Sequence, residues 1–184
     1  MRILVALALM ALPAQAEECF VGVPNRVSYD DGHVVTIIQR HGDDLTYTTP
    51  YEGFQDQVHK THLMLFPKQA RFGARASENR WTSRLPKRDD LVPGYHFSLE
   101  GTMKSGDAAA IPYRSEGEVV GADEVKLGGC AYAVLVITLN TYLNDALAIT
   151  ATEYLSPDMM VLLRSEHVVV SSGRATTFKA VAVE

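Results

Sequence analysis

From residue 26 onward, apolar and polar positions alternate in short runs, and turn residues interrupt them every 8 to 14 positions. A period of two with such punctuation predicts β-strands joined by tight turns rather than amphipathic helices. Val34, Val35, Thr36, Ile37 and Ile38 are mostly β-branched, which suits a pleated surface. Asp30-Asp31-Gly32, His41-Gly42-Asp43-Asp44 and Pro50-Tyr51-Glu52-Gly53 are turn signals. They bound strands predicted at 26–29, 33–40 and 45–49, followed by an extended run over 55–66. The rhythm then breaks. Residues 67–93 hold Pro67, Gly73, Pro86 and Pro93 and few apolar side chains, so a long loop is expected, with one helical turn near 77–84.

Strands resume over 95–103. Residues 111–120 and 122–127 flank Gly121, where a bulge or bend is expected. Residues 131–139 are apolar on both faces, as in a central strand, and 140–145 can turn. The stretch 146–155 reads as extended, although Leu143, Ala146, Leu147 and Thr150 also suit a short helix. Ser156-Pro157-Asp158 and Ser171-Ser172-Gly173 separate the last strands, 159–170 and 174–183. The expected fold is all-β: a mainly antiparallel meander forming a curved sheet or partly open barrel, with one long basic loop.

The N-terminus has the layout of a secretory signal peptide. Arg2 precedes a ten-residue apolar run over 3–12, and Pro13-Ala14-Gln15-Ala16 supplies an A-x-A cleavage site. The run is too short to span a bilayer, which takes about 20 apolar residues. No later stretch is longer than the seven apolar residues 131–137, so no transmembrane segment is expected after cleavage. Ala16-Glu17-Glu18 before Cys19 does not fit a lipidated cysteine, which wants a small residue just ahead of it. The reading is therefore a signal peptide at 1–16 and a single antiparallel β domain at 17–184, exported to the periplasm or secreted. In an oxidising compartment the two cysteines, Cys19 and Cys130, are expected to form a disulfide.

Without Arg2, the chain carries 16 basic and 22 acidic residues, a net charge of −6. That balance argues against nucleic acid as a partner. The charge is unevenly placed. Between Lys68 and Arg88 there are seven basic residues and one acid, Glu78. Trp81, the only tryptophan, lies between Arg80 and Arg84. Arginine's planar fork suits phosphate and carboxylate, and an indole can cover a ligand face or lipid. Arg75, Arg80, Trp81 and Arg84 are accordingly the candidate ligand-binding residues. The competing expectation is that the basic segment pairs with the chain's own acidic strands while Trp81 plugs one end of the sheet.

Catalytic motifs are absent. No Gly-x-Ser-x-Gly elbow, Cys-x-x-Cys or His-Glu-x-x-His pattern occurs, and no cofactor or metal site is expected. His59 and His62 are the only close histidine pair, and on a strand their odd offset sends them to opposite faces. The acidic turns at Asp30-Asp31 and Asp43-Asp44 lack the alternating oxygen ligands of a calcium loop.

Glu153-Tyr154-Leu155-Ser156-Pro157-Asp158, followed by Leu162-Leu163-Arg164-Ser165-Glu166, resembles a hairpin of uncharacterised periplasmic β-meander proteins of Gram-negative bacteria. Glu124-Val125-Lys126-Leu127-Gly128-Gly129-Cys130-Ala131-Tyr132 is similar to the strand-turn-strand that precedes it. The resemblance implies an architecture and a compartment, and no activity. The functional expectation is a non-catalytic binding or envelope-associated module for an apolar, amphipathic or anionic ligand, with lipid or another envelope component as partner. A protein-protein module with a periplasmic partner, and a hydrolase lacking a local signature, are the alternatives.

Overall fold

The computed structural model describes residues 18–50, 56–72 and 75–184. The expected leader, and residues 51–53 of the third turn, lie outside the described residues. Twelve strands run in chain order: β1 (Arg26–Tyr29), β2 (Val34–His41), β3 (Asp44–Thr49), β4 (Gln57–His62), β5 (Phe66–Phe72), β6 (Arg75–Trp81), β7 (His96–Ser105), β8 (Ile111–Leu127), β9 (Cys130–Leu143), β10 (Ala146–Ser156), β11 (Val161–Val169) and β12 (Arg174–Val183). Each strand pairs antiparallel with its sequence neighbours, and β1 pairs with β12. The expected curved sheet thus closes into a complete barrel, which leaves no unpaired edge.

The expected long basic loop is shorter than the composition suggested. Phe66–Phe72 and Arg75–Trp81 pair as strands β5 and β6, and 82–95 stay irregular, with one 3-10 turn at Arg88–Asp90. Pro67 disguised this hairpin. It sits at a bulge where Thr61 faces Pro67 and Lys60 faces Gln69, so Lys68 is the extra residue. A bulge is one of the few places where a strand admits proline. The turn expected over 140–145 contracts to Asn144 and Asp145, both at positive φ, and the helical option over 146–155 is not taken.

Bulges also explain three exposed aliphatic residues. The register skips Ile38 on β2, Val120 on β8 and Val181 on β12. Each is at least half exposed. An extra residue breaks the alternation locally and can point outward without disturbing the inward rows. The bulge expected at Gly121 lies one residue earlier, at Val120.

Eight strands make a barrel whose interior side chains can fill it, and diameter grows with strand number. This barrel fills one end with its connections. The turns after β4 and β10 turn Leu63, Leu65, Met159 and Met160 inward, and Leu91 enters from the 82–95 loop. They join Phe66, Phe97, Ile137, Leu155 and Leu163 in one core. Cys19 and Cys130 form a disulfide at that same end, tying the segment before β1 to the start of β9. Among the described residues, no helix is long and apolar enough to cross a membrane.

Two stability predictions follow from this packing. A Cβ at Gly117 would lie 2.5 Å from the Thr138 carbonyl oxygen and 2.5 Å from the Phe97 ring. Gly117→Ala is expected to cost about 1–3 kcal/mol, read as a lower urea midpoint. Gly121→Ala, where a Cβ meets nothing within 4 Å, should change stability by no more than about 0.5 kcal/mol. Replacing Cys19 and Cys130 by serine removes a constraint on a loop of 111 residues. Thermal melts should show a loss of up to about 4–5 kcal/mol on the chain-entropy model.

Candidate functional site

The 82–95 loop packs across the end of the barrel and makes the rim of an open cleft of about 680 Å³. Its anchors are specific. The Thr82 and Ser83 amides donate to the Glu100 carbonyl at 2.9 and 3.2 Å. Asp90 accepts from the Lys87 amide at 2.8 Å, and Asp43 accepts from the Arg88 amide at 3.1 Å. Leu91 and Pro86 are buried beneath. The other cleft walls come from the β2–β3 turn and from β4, β5 and β6.

Trp81 ends β6 and is half-buried in this cleft. Its indole N–H donates to the Pro67 carbonyl at 3.0 Å, and the Asn79 amide donates to the same oxygen at 3.2 Å. The ring meets Phe66 and Tyr113 edge to face, with centroids 6.1 and 4.9 Å away. Trp81 therefore both seals the core and borders the cleft. Gly101 pairs with Trp81 on one side and Tyr113 on the other, and its missing side chain lets the two rings meet across β7.

Charge in the cleft divides into engaged and free groups. Asp44 accepts from Lys68 Nζ at 2.6 Å and contacts His62 Nδ1 at 2.7 Å. Burial pushes the Asp44 carboxyl up, but the bonds and charges of Lys68 and His62 outweigh it and hold it below its ordinary value. His62 Nε2 donates to the Pro86 carbonyl at 2.8 Å, joining the barrel wall to the loop. Glu78 is taken by Arg80 at 3.0 Å, and Asp43 by the Arg88 amide. All three cleft carboxylates are thus committed. Lys60, Lys87 and His41 also line the cleft, and their side chains have no carboxylate partner among the described residues. Lys60 and Lys87 outnumber Asp43, whose carboxylate meets only a backbone amide, so the balance of charge is positive.

Of the four candidate ligand-binding residues, Arg75, Arg80, Trp81 and Arg84, only Trp81 lines this cleft. Arg75 opens β6 at its far end and is exposed. Arg80 is exposed on the outer face and bound to Glu78. Arg84 is exposed in the 82–95 loop. Lys60, Lys68 and Lys87 take the place of the arginine cluster. Lys68 and Lys87 belong to the basic segment noted above, whereas Lys60 and His41 carried no local signal. His59 and His62 fall on opposite faces: His59 stacks on Tyr47 and contacts Thr49 Oγ1 at 3.1 Å, while His62 joins Asp44 outside. No three metal-ligating side chains are grouped among the described residues.

No family model matches the chain, and no curated protein matches it. Among solved structures, the chain is similar to the hypothetical lipoprotein YmcC from Escherichia coli K12. The likeness has a TM-score of 0.54 at 8% identity and covers 86% of this chain and 83% of that one. At that identity the shared property is the fold.

The Asp44 network carries a pH signature. Its carboxyl is lowered from 3.8 on folding, so the unfolded chain binds more protons there than the folded one. The stabilisation is complete above 3.8 and is lost as pH falls through the lowered folded value. Asp44→Asn should cost about 0.5–1 kcal/mol at neutral pH, since the group is partly exposed and screened. In acid, the difference between the two proteins' unfolding midpoints should shrink towards zero.

Proposed function

We propose that this protein is an exported, non-catalytic binding protein of the bacterial envelope that holds an anionic, amphipathic ligand in the cleft beneath the 82–95 loop. One observation carries the reading: Lys60 and Lys87 stand free beside Trp81 while every carboxylate of the cleft is already committed. An anion entering there meets uncompensated ammonium groups without displacing an internal ion pair. Both lysines are exposed, so they attract and orient an anion by complementary charge. Trp81 and Leu85 supply the apolar surface that an amphipathic ligand needs beside its charged group.

The export reading is supported by the signal-type N-terminus, by the disulfide and by the fold shared with a lipoprotein. A binding role without chemistry is supported by the cleft's make-up. It places no nucleophile against a base, and the Oγ of its only serine, Ser83, accepts from the Glu100 amide at 2.9 Å rather than bonding a histidine.

The single tryptophan makes the test direct. Short-chain phosphatidylglycerol titrated into the protein should shift Trp81 emission saturably, while the zwitterionic phosphatidylcholine analogue should not. Changing Lys60 and Lys87 together to glutamate should weaken phosphatidylglycerol binding at least about tenfold, or about 1.4 kcal/mol. Equal responses to the two lipids, or an unchanged response in the double variant, would remove the basis for an anion site.

A further inference from the structure

His62 ties the 82–95 loop to the barrel wall through both of its ring nitrogens. Nδ1 stands 2.7 Å from Asp44 Oδ1, and Nε2 stands 2.8 Å from the Pro86 carbonyl oxygen. A carboxylate and a carbonyl only accept, so both contacts are hydrogen bonds only when both nitrogens carry hydrogen. That state is the imidazolium. The neutral ring has a single N–H, and the charge-assisted bond to Asp44 claims it. Nε2 is then bare and faces the Pro86 oxygen lone pair against lone pair. The His62 side chain is only 13% exposed and Pro86 is buried, so water does not readily replace the lost bond.

This contact lies where the loop has few other polar ties. The ends of the loop are fixed through Thr82 and Ser83 to Glu100, and through Gly94 and Tyr95 to Val119. Between them, two polar ties reach the barrel: the Pro86 carbonyl on His62, and the Arg88 amide on Asp43 at 3.1 Å. Leu85 and Lys87 flank Pro86, and both line the cleft. Losing the Pro86 bond therefore loosens the stretch that carries them.

We propose that His62 is a proton-operated latch on the outer cleft. With the ring doubly protonated, the loop is closed and Lys87 is in place for an anion. Loss of one proton to solvent frees Pro86 and weakens the site. As regulation of ligand binding, this rests on the reading of the cleft given above.

Histidine is the side chain that changes charge between about pH 5 and 8. The Asp44 carboxyl, held below its ordinary value, stays ionised across that range and keeps its claim on Nδ1. Asp43 in the β2–β3 turn also favours a charged ring, while Lys60 on β4, Lys68 on β5, and Lys87 and Arg88 on the loop oppose one. Of these charged groups, Asp44 is the one bonded to the ring, so it decides which nitrogen keeps the proton. Phe66 on β5 packs beside the ring, with centroids 6.3 Å apart. His41 on β2 is the other histidine of the cleft, and it bonds nothing on the loop among the described residues.

The test reads the loop without a ligand. Trp81 is the single tryptophan and borders the cleft. Acrylamide quenching of its emission should rise by about twofold or more between about pH 5.5 and about pH 8.5. His62→Gln does not titrate and cannot serve both acceptors, so quenching should be strong at both pH values. Asp44→Asn should act the opposite way. Its amide can donate to Nδ1 of a neutral ring, which leaves the Nε2 proton for Pro86, so quenching should be weak at both. A closed loop in Asp44→Asn also separates a latch from damage to the fold. His41→Gln should keep the wild-type step. A flat wild-type profile, a step that survives in His62→Gln, or an Asp44→Asn protein that opens as the wild type does would overturn the latch.

Short-chain phosphatidylglycerol affinity should fall by up to about fivefold over the same range, the worth of one exposed charge contact. The two possible failures read differently. Absent lipid binding strikes the ligand reading of the cleft, whereas binding of equal strength at both pH values strikes its regulation by His62.

Discussion

The pairing of β1 with β12 is the contact on which the rest of this molecule depends. Val27 lies fully buried between Val35 of β2 and Val183 of β12. Beside it, the Asn25 and Arg26 amides donate to the Glu184 carbonyl at 2.7 and 3.0 Å, and the Glu184 amide returns a bond to Arg26 at 2.9 Å. These bonds join the two ends of a meander whose other pairings are all local. Without them, β1 and β12 would be open edges exposing unpaired amides and carbonyls. Once the ring closes, each residue faces either the lumen or the outside, and the polar groups of each face must be satisfied separately.

A ring of twelve strands is wider than one of eight, and the two ends of this one are filled differently. At the disulfide end, connections fold in: Leu63, Leu65, Met159, Met160 and Leu91 act as a plug. The plug holds the 82–95 loop in place, and the loop in turn makes the outer cleft. Farther along, the lumen is lined by Tyr29, Tyr47, Glu153, Ser165 and Phe178, where aromatic rings replace aliphatic packing.

Trp81 shows how structure and recognition share a residue. Its indole nitrogen satisfies the Pro67 carbonyl at the β5 bulge, and its ring closes the core against Phe66 and Tyr113. A ligand in the cleft would touch a side chain that is already locked in place, so little ordering entropy remains to be lost on binding.

Local chemistry alone determined the strands, most turns and the cysteine pair. Alternation, β-branching and turn residues act within a few positions, and closing β1–β2 or β10–β11 needs no distant information. The expectation failed over 67–93, where Pro67 and the polar side chains of Gln69, Arg71, Arg75 and Glu78 masked a hairpin. That segment is a pair of strands because the ring requires two more members there, and its bulge makes room for the proline. Tertiary structure alone decided closure, the outward bulge residues, and the grouping of Lys60, Lys87, His41 and Trp81 from four separate stretches of chain. Those residues meet because the register of antiparallel neighbours brings distant positions together, and register is a property of the closed sheet rather than of any one strand.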